Sequence, residues 1–410
     1  MASSSQYTRW GIVASGEGGG RIASQFFDRT ENPGIDDRVL IMNTNRADLR
    51  NTINRIKDNI SQIDDEEVGQ RYTLTFGTQQ GAGNFFPNGE ACAREDIDRI
   101  VDNVTQFGVT DAFMYLATLG GGTGNGSIPY IVEQIQSDFA DIENQSIEST
   151  EWLDSTIHTT FGVWPHYYEQ PQRHFNAVCG LSRLLRSSDG QQNADLVLLA
   201  ANSHIEDDDS GHQEQYSKIN QSVIDAIDMM IGAGRETRSV IDVKDYVTIP
   251  SQMGAYHFTP AVATDLNGDV YELEFMLNKA AENAYVPMDI ESTSVAYLIV
   301  RAPEGMIEDN EISEPEVYNA FREWTSGHGI DAAGQASLTP KRGRGTDVDV
   351  MLLLGGFDLN PLLDHSWDQF ETWGDNLTGN GANRGGEELT EKEFDRITRN
   401  LNEYVDQNAN

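Results

Sequence analysis

Lysine is scarce in this chain: six among 410 residues, so that 28 Lys+Arg face 66 Asp+Glu and the formal net charge is −38. A surface of that sign repels phosphate backbones and anionic headgroups, which argues against nucleic acid and a bare membrane as direct partners. The acids run through the whole chain, a pattern similar to the surfaces of salt-in halophiles, where concentrated cations screen the repulsion. It points to an extremely halophilic microbe, an archaeon, and says nothing of activity. Long apolar runs are missing too. No window approaches the roughly 20 apolar residues of a spanning helix, so no direct membrane insertion is expected. The opening "MASSSQYTRWGIVASGEGG" lacks the basic start and apolar core of a secretion signal. The two cysteines, Cys92 and Cys179, predict free, buried thiols in a reducing cytoplasm.

What is present is a folded chain, 38% hydrophobic, long enough for two or three domains. Its first half alternates β-rich apolar runs with helical segments. Strands are predicted at 8–15, 38–44, 71–77, 111–119, 158–164 and 194–202. Continuous apolar runs spaced by helices imply a parallel sheet covered on both faces, with ligands bound at the strands' carboxyl ends. The loops at those ends are "GEGGGR", "NTNRAD", "GTQQGAGN", "GGGTGNGS", "PHYYEQPQR" and "NSHIEDDD". A long helix over about 213–233 follows, with Tyr216, Ile219, Ile224, Ile227 and Met230 along one side. The remainder reads as α+β, with strands near 254–264, 294–302 and 347–354 and helices near 270–283 and 313–325. "TGNGANRGGEEL" (378–389) reads as a linker. In the last segment Phe394, Ile397, Leu401 and Tyr404 space an amphipathic helix that packs on the body or docks a partner.

"TLGGGTGNGS" (118–127) holds five glycines in ten positions between a strand and a helix. Such a loop points bare N–H groups at an anion, aided by the helix dipole, and Thr123 adds a hydroxyl donor. "SGEGGGR" repeats the design, with Arg21 supplying charge, and "GAGN" (81–84) gives a third loop. A tight turn explains any one of them; three on one sheet edge read as a polyphosphate site. No GxxxxGK[ST] string occurs, and the dinucleotide fingerprint fails because Arg21 stands at its last glycine.

"GGGTGNGS" resembles the tubulin/FtsZ signature GGGTG[ST]G, with Asn125 in place of Ser or Thr. Other matches follow in family order over residues 8–250, while 251–365 match only by domain pattern. "GEGGGR" is similar to the family's first phosphate loop, and a basic residue at Arg21 is similar to the archaeal CetZ branch. "NTNRADL" resembles FtsZ's NTDAQAL, and "GAGN" resembles tubulin's third loop. "EQPQRHFNAVCG" is similar to ExxxRxxxAxxG, which implies Glu169 on the ribose and Arg173 near the nucleotide. "YSKIN" resembles tubulin's YxxxN. Tyr216 and Asn220 lie four apart on one helix face, a ring to stack on a purine beside an amide for its edge. By resemblance Asn202 is a second guanine contact.

The resemblance therefore implies the tubulin/FtsZ fold: a Rossmann-like parallel-sheet GTPase domain over 1–212, a central helix over 213–234, an α+β domain over 235–377, and a linker and amphipathic tail over 378–410. It implies GTP/GDP as ligand at Glu17, Gly18, Gly19, Gly20, Arg21, Asn43, Gly81, Ala82, Gly83, Asn84, Gly120, Gly121, Gly122, Thr123, Gly124, Asn125, Glu169, Arg173, Asn202, Tyr216 and Asn220. Mg²⁺ is expected to be held mainly by phosphates and water. It also implies head-to-tail filaments in which the loop NxDxx[DE] completes the neighbour's site. Here "VIDVKD" (240–245) supplies Asp242 and Asp245 as the catalytic acids, with Val240 replacing the Asn. Lys244 between them is expected to depress their pKa values or to pair with one. Two readings stay open: a filament-forming GTPase in cell shape or division, or a GTP-binding scaffold that regulates a related filament. "NEYVDQNAN" does not resemble FtsZ's membrane-anchor peptide, so attachment at the cortex or division site needs an adaptor.

Overall fold

Each of the six apolar runs of the first half is a strand. β1 (Trp10–Ser15) leads into α1 (Gly16–Ser24), and β2 (Val39–Asn43) into α2 (Arg46–Asn59) and α3 (Asp65–Tyr72). β3 (Thr73–Thr75), α4 (Phe86–Glu95), α5 (Ile97–Thr105), β4 (Ala112–Thr118) and α6 (Thr123–Asp138) follow. Next come β5 (Ile157–Trp164), α7 (Pro171–Leu185), β6 (Leu196–Ala201) and the long helix α8 (His212–Ala233). The computed structural model describes residues 8–28, 35, 37–59, 64–78, 80–138, 156–204, 212–234, 240–265, 272–330, 332–341, 347–378 and 387–408. Most of the 378–389 linker and part of the loop after β6 therefore lie outside the described residues.

The second half runs α9 (Asp245–Met253), β7 (His257–Asp265), α10 (Leu273–Glu282), β8 (Val295–Pro303), α11 (Glu304–Glu308), α12 (Glu314–Gly327), β9 (Ala332–Lys341), β10 (Val348–Gly355), α13 (Asn360–Leu377) and α14 (Glu391–Asn408). All ten strands form one sheet in the order β3-β2-β1-β4-β5-β6-β7-β10-β8-β9. It is parallel from β3 to β7, and β10 runs antiparallel to both β7 and β8. The two halves join where Val197 pairs with His257 and Leu198 with Phe258. The strand order turns between β2-β1 and β4, the switch point where α/β sheets open a crevice.

Every residue of β1, β2 and β6 is buried, because helices cover both faces of the parallel part; this is why those strands read as unbroken apolar runs. α8 buries Ile219, Val223, Ile224, Ile227 and Met230 against the sheet, leaving its first turns for the crevice. The tail helix packs on the body: Ile397, Leu401 and Tyr404 are buried, and Ser182 Oγ donates to the Ile397 carbonyl at 2.8 Å. His257 Nε2–H donates to the Phe357 carbonyl at 2.7 Å. That fixes Nδ1 as an acceptor for the Tyr404 hydroxyl at 2.8 Å, which itself accepts the Tyr256 N–H at 2.9 Å. Cys92 and Cys179 are buried free thiols.

β9 has no counterpart among the predicted strands. "AAGQASLTPK" carries little apolar patterning because β9 lies at the sheet edge, paired with β8 alone, and an edge tolerates Gly334 and Pro340.

Candidate functional site

A cleft of about 820 Å³ opens at the carboxyl ends of the parallel strands, within the 300–1,000 Å³ usual for small-molecule sites. α1 starts directly after β1 at Gly16, whose φ of +77° is open to glycine. A Cβ there would stand 3.0 Å from the Gly124 nitrogen. The amino ends of α1 and α6 therefore abut, and their free N–H groups and dipoles converge on one space. Thr123 opens α6, its hydroxyl 2.7 Å from that of Thr44. Gly81 and Gly83 turn the third loop at φ +92° and +59°.

Of the predicted nucleotide residues, the cleft wall gathers Glu17, Gly18, Arg21, Asn43, Gly81, Ala82, Gly83, Asn84, Gly120, Gly121, Gly122, Thr123, Gly124, Glu169, Arg173, Asn202, Tyr216 and Asn220. Three are placed elsewhere. A Cβ on Gly19 would lie 2.4 Å from the Leu116 carbonyl oxygen and one on Gly20 3.0 Å from Ile41 Cγ2. These two glycines let α1 press onto β4 and β2. Asn125 is fully buried, and its amide donates to the Asn176 carbonyl at 2.6 Å. A Cβ on Gly180 would sit 1.8 Å from Asn125 Oδ1, so that glycine exists to make room for the asparagine. Packing also claims some of the wall: Cβ atoms on Gly122 and Gly124 would lie 2.6 Å from the Phe85 nitrogen and 2.5 Å from the Ser15 carbonyl oxygen. The glycine richness thus serves close backbone packing as much as approach to a ligand, which corrects the simple reading of the loop.

At the phosphate end Arg21 pairs with Glu17. The Asp48 carboxyl, also in the wall, is raised above its ordinary range by burial and then by Glu17, with Arg21 opposing. Amide N–H groups, a hydroxyl and a guanidinium fit a polyphosphate. Among the described residues no group of three or more His, Cys, Asp or Glu could hold a metal ion.

At the other end Glu169 Oε2 pairs with Arg173 at 3.0 Å, while Oε1 accepts the His166 N–H at 2.9 Å and the Asn202 amide at 3.5 Å. Tyr216 and Asn220, from the first turns of α8, complete this end. The Tyr216 hydroxyl is pushed up to about 12, by burial first, then by the Glu169 charge and by Tyr168, to which it is hydrogen-bonded. Tyr168 and Asp48 line the cleft without having been singled out in the sequence; both stand inside loops marked as ligand loops, and nothing in their local spacing separates them from neighbours.

Asp242 and Asp245 are not in this cleft. The 240–245 loop folds onto the far end of α8, where the Ile241 N–H donates to the Ala233 carbonyl at 3.2 Å. From Tyr216 to Ala233 is 17 residues of helix, or about 25 Å at 1.5 Å per residue. Asp242 Oδ1 accepts the N–H groups of Lys244 and Asp245. The Asp245 carboxyl is raised, not depressed as expected of Lys244, because burial outweighs the hydrogen bond from the Asp242 N–H, with the Asp242 charge adding a smaller increase. Lys244 is exposed and gives Asp242 its backbone N–H.

Residues 11–207 match the model of the Tubulin/FtsZ family, GTPase domain. The tubulin-like protein CetZ1 of Haloferax volcanii is 26% identical over 227 residues, 54% of this chain and 50% of the relative, so the match spans half of that protein's length. CetZ of Pyrococcus furiosus is 20% identical over 312 residues, 74% of this chain and 75% of its own. The solved GDP-bound monomer of Haloferax volcanii CetZ1 superposes with a TM-score of 0.69 at 19% identity, covering 89% of this chain and 99% of that one. The GTPγS-bound protofilament of CetZ2 from the same organism gives 0.67 at 18% identity, covering 88% and 99%. An FtsZ dimer from M. jannaschii gives 0.63 at 16% identity, covering 85% and 88%. Residues 11–207 match the tubulin/FtsZ family GTPase domain, and the chain as a whole is similar in sequence and fold to CetZ proteins.

Proposed function

We propose that this chain binds GTP in the cleft, stacks head to tail with copies of itself, and hydrolyses GTP where two subunits meet. One observation carries the reading: the glycine-loop cleft and the acid pair Asp242/Asp245 lie at opposite ends of α8, about 25 Å apart along its axis. A single subunit cannot bring them together; translation along the α8 axis by one subunit does. The N–H groups at the starts of α1 and α6, with Thr123 and Arg21, hold the phosphates, and Glu169, Asn202, Tyr216 and Asn220 hold ribose and guanine. Arg21 exchanges Glu17 for phosphate oxygens on binding. From the next subunit Asp245, whose raised pKa makes it a better base than an ordinary carboxylate, orients water toward the γ-phosphate and takes its proton. Mg²⁺ held mainly by the phosphates and water would neutralise the charge developing on them, with the Glu17 and Asp48 carboxyls of the same wall available to its waters.

A second reading, a GTP-binding scaffold or regulator of a related filament, is favoured by Val240, 40% exposed where a loop amide is expected. In either case the role is in cell shape or division, in the cytoplasm or at the cortex through an adaptor. The deciding experiment is GTP turnover against protein concentration in molar KCl with Mg²⁺. A specific rate that climbs above a threshold concentration supports shared sites; tight GTP binding without turnover at any concentration leaves the scaffold.

A further inference from the structure

We propose that Asn176, a residue that does not line the cleft, is a positioning residue that sets the spacing of the two phosphate loops 81–84 and 118–124; the proposal rests on the GTP reading above. Asn176 is fully buried on α7. Its single amide group donates to two carbonyls from different loops, Asn84 at 2.9 Å and Gly120 at 3.1 Å. Those bonds fix the amide's orientation, since the flipped group would press Oδ1 against two carbonyl oxygens. Oδ1 itself is buried without a hydrogen-bond partner. A buried acceptor is left unsatisfied while both donors are used, an uncommon arrangement that marks the donors as the reason for the residue.

The Asn84 carbonyl reaches α7 because Asn84 adopts φ +56°, rare for a residue with a Cβ and concentrated at functional sites. Gln172 Nε2 donates to the same oxygen at 2.9 Å. The loops also meet directly, for a Cβ on Gly122 would lie 3.0 Å from the Asn84 carbonyl carbon. Asn176 is gripped in turn, its own carbonyl accepting the Asn125 amide. The loop amides cannot spread without breaking a buried and a part-buried hydrogen bond, so the cradle is set before a ligand arrives, which lowers the ordering cost of binding. Asn125, which stands where the signature has Ser or Thr, and the ExxxRxxxAxxG helix α7 thereby act as one device.

The test titrates Mg·GTP and guanosine, which lacks phosphates, into the full chain in molar KCl. Asn176→Ala is expected to weaken Mg·GTP by roughly 10- to 100-fold, the consequence of the Gly120 carbonyl left unpaired and the Asn84 carbonyl held by Gln172 alone, and to leave guanosine within about twofold. Gln172→Ala, at a half-buried position, is expected to weaken Mg·GTP by about threefold with guanosine unchanged. Equal losses for both ligands reveal a merely structural role and overturn the proposal, as does unchanged Mg·GTP affinity in folded Asn176→Ala. If that variant does not fold, an unchanged GTP-to-guanosine ratio in Gln172→Ala overturns it. A wild-type chain that binds no GTP overturns both readings, whereas a wild type that binds with unaffected variants overturns this one alone.

Discussion

Asp242 and Asp245 cap one another: Asp242 Oδ1 accepts the Asp245 N–H at 3.1 Å, and Asp245 Oδ2 accepts the Asp242 N–H at 2.9 Å. This reciprocal pair has the pattern of a capping box and closes the turn that leads into α9. Each carboxylate has two oxygens, so one can hold the loop's shape while, in the proposed filament, the other is left for the next subunit's nucleotide.

Replacing Asp245 by Asn separates these duties, since the amide oxygen still accepts the Asp242 N–H while the base is gone. Asp245→Asn is expected to lower GTP turnover at least about 100-fold, the usual worth of a general base, with GTP affinity within twofold. Phosphate release and nucleotide titration on one preparation check it. Turnover at the unmutated rate rejects the shared-site mechanism.

Val240 stands 40% exposed at the head of the same loop, so an amide there meets no packing obstacle. Val240→Asn is expected to raise turnover about fivefold, the equivalent of one hydrogen bond worth about 1 kcal/mol. An unchanged rate means that this position does not limit the reaction.

Gly180 and Asn125 are predicted to be energetically coupled. Gly180→Ala puts a methyl 1.8 Å from Asn125 Oδ1 and should destabilise by about 1–3 kcal/mol. Adding Asn125→Ser removes the obstructing atoms. The double variant should then be more stable than the sum of the singles by about 1 kcal/mol or more in denaturant unfolding; simple additivity refutes the clash.

Acid should weaken the fold through two buried imidazoles. Burial lowers His158 to about 3 and His257 to about 4, while the unfolded chain protonates near 6.5. The unfolded state binds more protons below that value, so this stability is complete above about pH 6.5 and is lost as pH falls through about 4. Asp195, raised to about 6 chiefly by burial, works the other way and recovers part of the loss below pH 6. Thermal unfolding from pH 7.5 to 4.5 should show a falling midpoint, and a shallower fall in His257→Gln.

Much of the fold and of the candidate site is legible in the sequence. The strands β1, β2, β4, β5 and β6 announce themselves because both faces are buried, and the ligand loops follow from sheet geometry. β9 was silent because an edge strand needs little apolar patterning. Asn125 misled for a physical reason: a glycine-flanked polar residue reads as a ligand contact, yet its partner is a main-chain carbonyl 51 positions later. The spacing of ExxxRxxxAxxG shows a helix face; it does not show that Asn176 on that helix reaches two loops at once. Asp242 and Asp245 are legible as acids, but their mutual capping depends on backbone direction, which residue types alone do not encode.

The bond between His257 and Tyr404 spans 147 positions. At ribosomal speeds of roughly 5–20 residues per second, some 7 to 30 seconds pass between the two being made. Through that interval the imidazole at the start of β7 lacks the phenol that donates to it, although β6 and β7 can already pair. The covering of that imidazole is thus timed by synthesis, and a nascent chain ending before α14 meets water where the finished protein meets its own tail.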